Sequence, residues 1–533
     1  MKYKNNKLSI LLPLLIAIIF AGGLLIGLQL KKTQSTNNYS FRPRADKLQG
    51  ILSFIEAEYV DSVNRRDLEE AAIPEILQKL DPHSVYIPAR DVARVSEPLE
   101  GNFEGIGVSF SMPNDTVIIN SIIPGGPSEK VGIMAGDRII TISDSTVAGT
   151  NIDQNDIVRK LKGPRGTKVT IGIERREVPE LIEFTITRDK IPLYSVDVSY
   201  MVNDSTGYIK ISKFARTTYH EFLEALDNLR LEGMTQMVLD LRSNSGGYMD
   251  AATKLANQFL EKGTLIVYTE GRSQERENFY ADGNGKFQDG KIVLLQDEWS
   301  ASASEIVAGA LQDNDRGTII GRRSFGKGLV QEPLMMSDGS LIRLTIARYY
   351  TPTGRCIQKP YDNGIEDYVH DLESRYMNGE FEREDSIQFN DSLKYTTPGG
   401  KIVYGGGGIM PDIFVPIDTT GVSTYFRHVR AMGLIYRYAF EYTDKNRAVL
   451  EDYQDVNSLR NYLESQDLFD KFVSFANSNG VAPNQKDIKG SKHLIHTEIL
   501  AYISRNMLDN AGFYPIWKDI DYTLNEAIKY ISS

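Results

Sequence analysis

The segment Trp299-Ser-Ala-Ser302-Ala-Ser-Glu305 places small residues and hydroxyl groups at the predicted start of a helix, directly after an apolar run typical of a buried strand. A serine at a helix start lies near free backbone N–H groups and the positive end of the helix dipole, which would stabilise a developing oxyanion. Ser302 is therefore a candidate nucleophile. Ser302 and Glu305 also have the spacing of a helix-capping box, which explains the segment without any chemistry.

A candidate general base follows 25 residues later, where Lys327 lies between two glycines. A lysine can accept a proton only where burial lowers its pKa far below the usual value of ~10.4. The apolar neighbours Phe325, Leu329 and Val330 could provide such a pocket. If this segment forms a helical turn, Gln331 would lie beside the lysine amine and orient it. The alternative is a surface lysine in a flexible glycine loop.

The third segment runs from Asp240 to Gly247, where a predicted strand ends in Asn244-Ser245-Gly246-Gly247 and a helix follows. Glycines allow backbone N–H groups to point into a cleft, as an oxyanion hole requires. The same four residues mimic the nucleophile motif of trypsin-like proteases, with His220 the only histidine nearby. That interpretation is rejected, because trypsin-like proteases need two all-β barrels and this segment predicts strand, turn and helix.

The composition excludes several other classes of protein. The net charge is −11, so the chain provides no basic surface for nucleic acid. The single cysteine, Cys356, permits neither an intrachain disulfide nor a cysteine metal cluster, and the six histidines form no zinc-protease motif. Hydrophobic residues at 41% and charged residues at 25% are typical of a soluble multidomain protein. No cofactor, metal or nucleotide is expected.

The amino-terminal region predicts attachment to a membrane. Leu8–Leu30 is a run of 23 uncharged residues, long enough to cross a hydrocarbon core of ~30 Å as a helix. Three lysines precede the run, so the remainder of the chain is expected outside the cytoplasm. A cleaved signal peptide is the alternative, but the run is long and no A-x-A site follows it. Residues 1–32 are thus predicted as a cytoplasmic start and anchor in the inner membrane, with the catalytic part on the periplasmic side.

Residues 33–96 predict a polar tether and a helical arm, which either packs locally or forms dimers. Residues 97–190 contain five short strand-like runs separated by turn signals. Residues 191–418 alternate strands and helices, which predicts βαβ units and a largely parallel sheet. This part includes an acidic, solvated insertion at 361–391. Residues 419–533 predict a helical extension. The fold class is therefore α/β, in several domains.

The order and spacing of these segments resemble the C-terminal processing, or tail-specific, peptidases. The resemblance covers roughly residues 50 to 416, and so many ordered motifs are specific where one alone would be weak. The blocks that carry it are Asp81-Pro-His-Ser84, Phe103-Glu-Gly-Ile-Gly-Val108, Ser302–Leu311, Phe325-Gly-Lys-Gly328, Tyr350–Arg355 and Ile409-Met-Pro-Asp412.

This resemblance implies roles for individual residues. Ser302 would be the nucleophile, Lys327 the general base and Gln331 the residue that orients the lysine. The backbone N–H groups of Ala303 and Gly246 would form the oxyanion hole, with Gly247 the less favoured choice. Ser245 occupies a position where the family often has proline. This difference affects whether Gly246 or Gly247 directs its N–H into the cleft.

The resemblance also implies that residues 97–190 form a PDZ-like module. Its loop from 103 to 110 would bind a peptide C-terminus through the backbone of Gly105, Ile106, Gly107 and Val108. The protease core would be crotonase-like, and the chain would act as an ATP-independent serine endopeptidase on proteins with free C-termini, assembled as a homo-oligomer. The rival hypothesis is a PDZ scaffold that has lost catalysis, but such a scaffold has no reason to keep a serine and a lysine at this spacing.

Overall fold

The computed structural model describes residues 17, 22, 23 and 47–533, apart from 113, 114, 124, 177, 363 and 389. The predicted membrane anchor at Leu8–Leu30 and the tether after it lie outside the described residues, save for three isolated positions. Among the residues that are described, no helix combines the length and the apolar character that crossing a bilayer requires. Two compact units are present, residues 1–76 and 77–533.

In the first unit, the two helices predicted from 3–4 spacing of apolar residues are confirmed. Leu48, Ile51 and Phe54, on the first helix, remain 50%, 39% and 49% exposed, so its apolar side is not fully covered. Arg65 begins the second helix and forms an ion pair with Glu69 at 2.8 Å. The helices are α1 (Lys47–Glu58) and α2 (Arg65–Gln78), the second of which ends just beyond this unit.

The second unit begins with a short strand and helix, followed by the PDZ-like module. The five strands predicted there are confirmed, and they form one antiparallel sheet with the first of them at its edge. The alternating apolar residues of these strands form a separate buried core. The elements are β1 (Val85–Ile87), α3 (Ala89–Glu100), β2 (Asn102–Gly105), β3 (Val108–Ser111), β4 (Val117–Ile122), α4 (Pro127–Lys130), β5 (Arg138–Ile142), β6 (Ser145–Thr146), α5 (Gln154–Leu161), β7 (Lys168–Glu174), β8 (Ile182–Thr187) and β9 (Asp189–Pro192).

The predicted parallel sheet forms the core of the second unit. Five of its six strands run in the same direction, and the first strand is antiparallel to them. Their nearly continuous apolar runs are explained by burial on both faces. The elements are β10 (Val196–Met201), β11 (Thr206–Ile211), α6 (Thr218–Leu231), β12 (Gln236–Asp240), α7 (Met249–Ala256), β15 (Lys291–Gln296), α8 (Ala303–Asp313), β16 (Thr318–Gly321) and β21 (Ile413–Phe414).

A second, antiparallel sheet was not predicted. Its long central strand pairs with β1 and a second strand on one side and with a third strand on the other. It brings the segment Asp81–Ser84 next to the segment that carries Lys327 and Gln331. The strands are β13 (Leu265–Glu270), β14 (Glu277–Tyr280), β17 (Leu329–Met335) and β18 (Leu341–Tyr350), with the pair β19 (Lys394–Thr396) and β20 (Ile402–Tyr404) nearby.

Most of the described residues of the insertion at 361–391 are exposed, as its charge predicts, but a few are buried against the rest of the unit. Tyr368, Arg375 and Phe381 are buried there. The Arg375 guanidinium donates to the carbonyl oxygens of Ser324 and Arg323, at 3.1 and 2.7 Å, so the insertion packs against the loop that precedes Lys327. Its helices are α9 (Ile365–Val369) and α10 (Asp371–Met377), followed by short 3₁₀ turns at Glu384–Ser386 and Asp391–Leu393.

The carboxy-terminal part is helical, as predicted, and has its own buried core of aromatic and aliphatic residues. Its longest helix is broken by non-helical backbone at Leu508 and Asp509. The helices are α11 (Thr424–Ala431), α12 (Leu434–Leu450), α13 (Val456–Glu464), α14 (Leu468–Ser478), α15 (Gln485–Trp517) and α16 (Tyr522–Ser532), with a 3₁₀ turn at Lys518–Ile520.

Candidate active site

Ser302 lies on a sharp turn between strand β15 and helix α8. Its backbone has φ +55° and ψ −112°, a conformation that L-residues rarely adopt. A strained turn between a strand and a helix is also how α/β-hydrolases expose a nucleophilic serine at a sheet edge. From residue 292 to 313 every side chain is buried except Ser302, which is half-buried, and Trp299, which is exposed. Ser302 and Trp299 are thus the two residues of this segment whose side chains reach solvent.

The carboxylate of Glu305 joins the serine turn to the lysine loop. Its Oε2 accepts the N–H groups of Ser302 and Lys327, at 2.7 and 2.9 Å. Its Oε1 accepts the N–H of Gly326 and the hydroxyl of Ser324, at 2.7 and 2.5 Å. The bond to Ser302 is half of the predicted capping box, but the other three bonds show that this carboxylate also fixes the loop of the candidate base.

Tyr349, on strand β18, makes a second connection between the same two residues. Its hydroxyl lies 2.6 Å from the carbonyl oxygen of Lys327 and 3.1 Å from that of Ser302. Glu305 therefore holds the two residues by their N–H groups and Tyr349 by their carbonyl groups. The relative position of the serine and lysine backbones is fixed by two buried side chains.

Gln331 contacts the lysine amine as predicted, although the local structure differs from the prediction. Lys327 Nζ donates to Gln331 Oε1 at 3.0 Å. The predicted helical turn is wrong, because Gln331 belongs to strand β17, where the pairing with β18 shifts between Val330 and Gln331. Such a bulge redirects a side chain. Within the described part of the chain this is the one side-chain hydrogen bond of Lys327 Nζ, and Ser302 Oγ is not a partner.

The segment Asp81–Ser84 fixes the orientation of the Gln331 amide. The Gln331 amide Nε2 donates to the carbonyl oxygen of His83. Asp81 fixes this turn by accepting the N–H groups of His83 and Ser84, at 2.8 and 2.9 Å, and the hydroxyl of Thr345 at 3.2 Å. With its Nε2 engaged in this way, the amide of Gln331 can present only its oxygen to the lysine.

The environment shifts the pKa values of three groups in this cluster. Burial lowers the pKa of Lys327 from 10.5 to about 8, and the charge of Arg343 adds to this effect, while the Glu305 and Asp81 carboxylates oppose it. Burial also raises the pKa of Glu305 to about 7, against the four hydrogen bonds that favour its ionised form. Burial, followed by the charge of Lys327, lowers the pKa of His83 to about 4. A neutral lysine amine is therefore accessible near neutral pH.

The glycine turn lies directly against the serine. A Cβ at Gly246 would come within 2.9 Å of Ser302 Cβ and 3.0 Å of the Ala303 nitrogen. The Gly246 N–H donates to Asn244 Oδ1 at 2.9 Å. The N–H groups of Ala303 and Gly247 make no hydrogen bond to any described residue. Ser245, the residue of the rejected trypsin-like motif, is exposed.

The loop of the PDZ-like module has open backbone donors. Gly105, Ile106 and Gly107 are buried and Val108 is half-buried. The carbonyl oxygen of Ile106 accepts the N–H and hydroxyl of Ser128, at 3.1 and 2.7 Å, which anchors the loop. The N–H groups of Ile106 and Gly107 have no partner among the described residues. Strand β3, which follows, has an unpaired edge.

The structure also identifies residues to which the sequence analysis gave no role in the site. Tyr349 and Asp81 act across long separations in the chain, and no local pattern reveals them. The motif Asp81-Pro-His-Ser84 does appear among the motifs that resemble the family, but the sequence assigns it no role. In the described ranges, no group of three or more His, Cys, Asp or Glu side chains is placed to hold a metal ion.

Comparison with known families assigns three parts of the chain. Residues 205–370 match peptidase family S41, and residues 118–175 match the PDZ domain. Residues 425–509 match a family of unknown function. The three matched segments lie in the central sheet, the PDZ-like module and the helical carboxy-terminal part.

Two relatives are similar along most of their own length. The carboxy-terminal processing protease CtpB of Bacillus subtilis is 34% identical over 372 residues, covering 66% of this chain and 76% of that protein. A carboxy-terminal-processing protease of Bartonella bacilliformis is 35% identical over 348 residues, covering 64% of this chain and 79% of the relative. A solved structure of a photosystem II D1 C-terminal processing protease covers 68% of this chain and 85% of its own, with 26% identity and a TM-score of 0.36.

Proposed function

The chain belongs to peptidase family S41, the carboxy-terminal processing serine proteases, and carries a PDZ domain; from this premise we propose that it cleaves proteins near their C-termini with a Ser302–Lys327 dyad. The observation that carries the proposal is the double attachment of these two residues to Glu305 and Tyr349. Preorganised reacting groups of this kind account for a large part of enzymatic rate enhancement.

In the proposed reaction the neutral amine of Lys327 accepts the proton of the Ser302 hydroxyl as Oγ attacks the peptide carbonyl carbon. The resulting tetrahedral intermediate collapses, the C–N bond breaks, and the lysine ammonium returns the proton to the leaving amine. Water then attacks the acyl-enzyme ester with Lys327 again as the base, which releases the new carboxylate and restores Ser302. Gln331 orients the amine throughout. Catalytic hydrogen bonds often form only when substrate is bound, so the serine and amine need not be bonded beforehand.

The oxyanion of the intermediate would be stabilised by the N–H of Ala303 together with a donor from the glycine turn. Ala303 supports this role because its N–H, at the start of helix α8 next to Ser302, has no partner in the described part of the chain. Gly246 lies close enough, but its N–H is engaged by Asn244. Its participation requires the Asn244 side chain to move, and otherwise Gly247 would supply the second donor.

The PDZ domain would bind the substrate tail and so deliver the preceding residues to Ser302. The N–H groups of Ile106 and Gly107, which no described residue accepts, support binding of a terminal carboxylate, with Gly105 and Val108 on either side of them. The open edge of strand β3 supports pairing with an extended peptide. The preferred substrates are therefore proteins with free C-termini.

We further propose that the enzyme is anchored in the inner membrane by Leu8–Leu30 and acts on the periplasmic side, as a homo-oligomer. The uncharged run and its preceding lysines support the orientation. The exposed apolar residues of helix α1 support the oligomer, because an amphipathic face that stays uncovered in one copy can be buried by a second. Proteolysis of spheroplasts and sedimentation of the detergent-solubilised protein would test these two points.

A comparison of Ser302→Ala with Ser245→Ala tests the central assignment. Hydrolysis of a peptide substrate should be abolished in the first variant and largely retained in the second. The reason is that the nucleophile is assigned to the start of helix α8 and not to the trypsin-like motif that contains Ser245. Labelling with a serine-reactive fluorophosphonate should follow the same pattern. Activity lost in Ser245→Ala but kept in Ser302→Ala would overturn the assignment.

A further inference from the structure

The last helix of the chain forms an outer layer of the protease core. Strands of the parallel sheet bury Val238, Val293 and Leu295 on the face opposite helices α6 to α8, and helix α16 covers this face with Leu524 and Ile531. At the end of the helix, Lys291 Nζ donates to the carbonyl oxygens of Tyr530 and Ile531, at 3.3 and 3.0 Å. Residues 510–533 lie beyond the segments matched at 205–370 and 425–509.

Asp521 marks the start of this helix and reaches into the sheet. Its Oδ1 accepts the N–H of Leu524 at 3.0 Å, which caps the helix. The same carboxylate binds the Arg242 guanidinium through two parallel bonds, Nη1 to Oδ1 at 2.8 Å and Nη2 to Oδ2 at 2.7 Å. The two side chains are only 17% and 12% exposed. A bidentate pair with this little exposure fixes the plane of the guanidinium.

On its other side Arg242 binds Asp240, which is fully buried at the end of strand β12. Arg242 Nη2 and Nε donate to Asp240 Oδ2 at 2.5 and 3.0 Å. Tyr208 donates its hydroxyl to the same oxygen at 2.7 Å. Lys210 Nζ donates to the backbone carbonyl of Arg242 at 3.1 Å. The arginine is thus clamped between one carboxylate from the core and one from the carboxy-terminal helix.

The residues that directly follow Arg242 form the glycine turn of the active site. The Asn244 amide donates to the carbonyl of Ile211 at 2.9 Å and its Oδ1 accepts the Gly246 N–H. The Asn244 backbone carbonyl accepts the Ala301 N–H at 3.0 Å and the Ser304 hydroxyl at 2.9 Å. A displacement at Arg242 would therefore reach both the glycine turn and the serine turn within a few residues.

We propose that Asp521 is a positioning residue for the active site. By holding Arg242 from outside the sheet, it fixes the turn at 242–247 and so places the backbone donor of the oxyanion hole. This inference rests on the proposed function, because it assigns a purpose to a donor that only acyl transfer requires. It also makes residues 521–532 part of the catalytic core and not an appendage of the helical module.

The test compares Asp521→Asn with Asp519→Asn in the full-length protein. Asparagine keeps the shape and the helix cap but removes the charge that holds Arg242. Asp519 provides a matched control, because it pairs with Arg460 at 2.8 Å in the same carboxy-terminal segment and has no hydrogen bond to Arg242, Asp240 or Tyr208 among the described contacts. Both variants lose one ion pair that anchors the segment, so a purely structural role predicts similar effects.

Loss of one oxyanion-hole donor costs roughly 10²–10³ in kcat, and partial misplacement costs less, so Asp521→Asn should lower kcat by about tenfold or more. KM for a short peptide should stay within about twofold, and Asp521→Glu should restore part of the rate since it keeps the charge. Asp519→Asn should retain the native kcat. Should Asp521→Asn fail to fold, Asp521→Ser keeps the cap and permits the same comparison.

Native kcat in Asp521→Asn, or an equal loss in Asp519→Asn, would overturn the positioning role. The native enzyme and Ser302→Ala are assayed beside these variants. Hydrolysis that survives in Ser302→Ala would contradict the proposed function itself. The two failures are therefore distinguishable.

Discussion

In the catalytic cleft, the N–H groups of Ser302, Gly326 and Lys327 all donate to one buried carboxylate, that of Glu305. In the PDZ loop, the N–H groups of Ile106 and Gly107 make no hydrogen bond to any residue that the structure describes. In the cleft these three N–H groups are satisfied internally and fix the two reacting residues, whereas the PDZ loop leaves donors open for a partner. The proposed catalytic site gains a fixed geometry from this arrangement, and the proposed recognition loop keeps donors that a terminal carboxylate would need.

This contrast predicts different kinetic signatures. A change inside the cleft should lower kcat, because it moves groups that must be in place before the reaction begins. A change in the PDZ loop or in the substrate tail should alter KM with little effect on kcat, because it weakens docking and leaves the chemistry intact.

The largest effect is expected from Glu305→Gln. A buried amide cannot accept all four hydrogen bonds of the carboxylate, and a shift of about 1 Å in a catalytic group can cost ~100-fold, so kcat should fall by about 100-fold or more. Steady-state kinetics and the unfolding temperature are measured together. The matched control is Glu221→Gln, since that carboxylate accepts three hydrogen bonds from Ser195 and Val196 away from the cleft. An equal loss of kcat in both variants would show that Glu305 acts only through stability.

Gly246→Ala should have the next largest effect. The added methyl group would lie 2.8 Å from the Ala301 carbonyl oxygen and 2.9 Å from Ser302 Cβ, at a φ of +99°. One of the two turns must move, and kcat should fall by roughly tenfold to 100-fold. Gly263→Ala is the control, because it has a φ of +83° with nothing within 4 Å. It should cost only about 1–2 kcal/mol of stability from backbone strain, with kcat unchanged.

The same residues show which features of the site and of the fold can be predicted from the sequence. Ser302, Lys327 and Gln331 were proposed as site residues from small residues at a helix start, flanking glycines and an amide four positions after the lysine. The strands of the PDZ domain were predicted from turn signals that separate apolar runs. The backbone strain at Ser302 has no sequence signature. The strand that carries Gln331 was mistaken for a helical turn, because a spacing of four fits a helix and a β-bulge gives no periodic signal.

Contacts between residues far apart in the sequence could not be predicted, for a different reason. Asp81 and Thr345 meet only because β1 pairs with β18, and that pairing depends on the completed antiparallel sheet. The acidic insertion was predicted to be solvated from its charge alone. Its buried residues Arg375 and Glu380 form an ion pair with each other at 2.9 Å, and composition cannot reveal such a pairing.

A smaller effect is expected at the recognition site. Amidation of the substrate C-terminus removes the charge that Ile106 and Gly107 would bind, and charged hydrogen bonds contribute roughly 1.5–3 kcal/mol, so docking should weaken by about ten- to 100-fold. Cleavage of a long substrate with a free or amidated terminus, followed over a range of concentrations, should show the change in KM. A short peptide placed directly in the cleft is the control and should be unaffected. Equal cleavage of both long substrates would mean that this loop does not bind a carboxylate.

The most direct test of Lys327 as the general base is the pH dependence of Ser302 phosphonylation by a fluorophosphonate, in the native enzyme and in Lys327→Arg. The base must be neutral, and burial lowers the pKa of Lys327 to about 8, so the rate should be low below this pH, rise through it and level off above it. Arginine stays protonated across this range, so the variant should react slowly at every pH. A native rate in Lys327→Arg, or a native profile that does not change around pH 8, would contradict the assignment of Lys327 as the base.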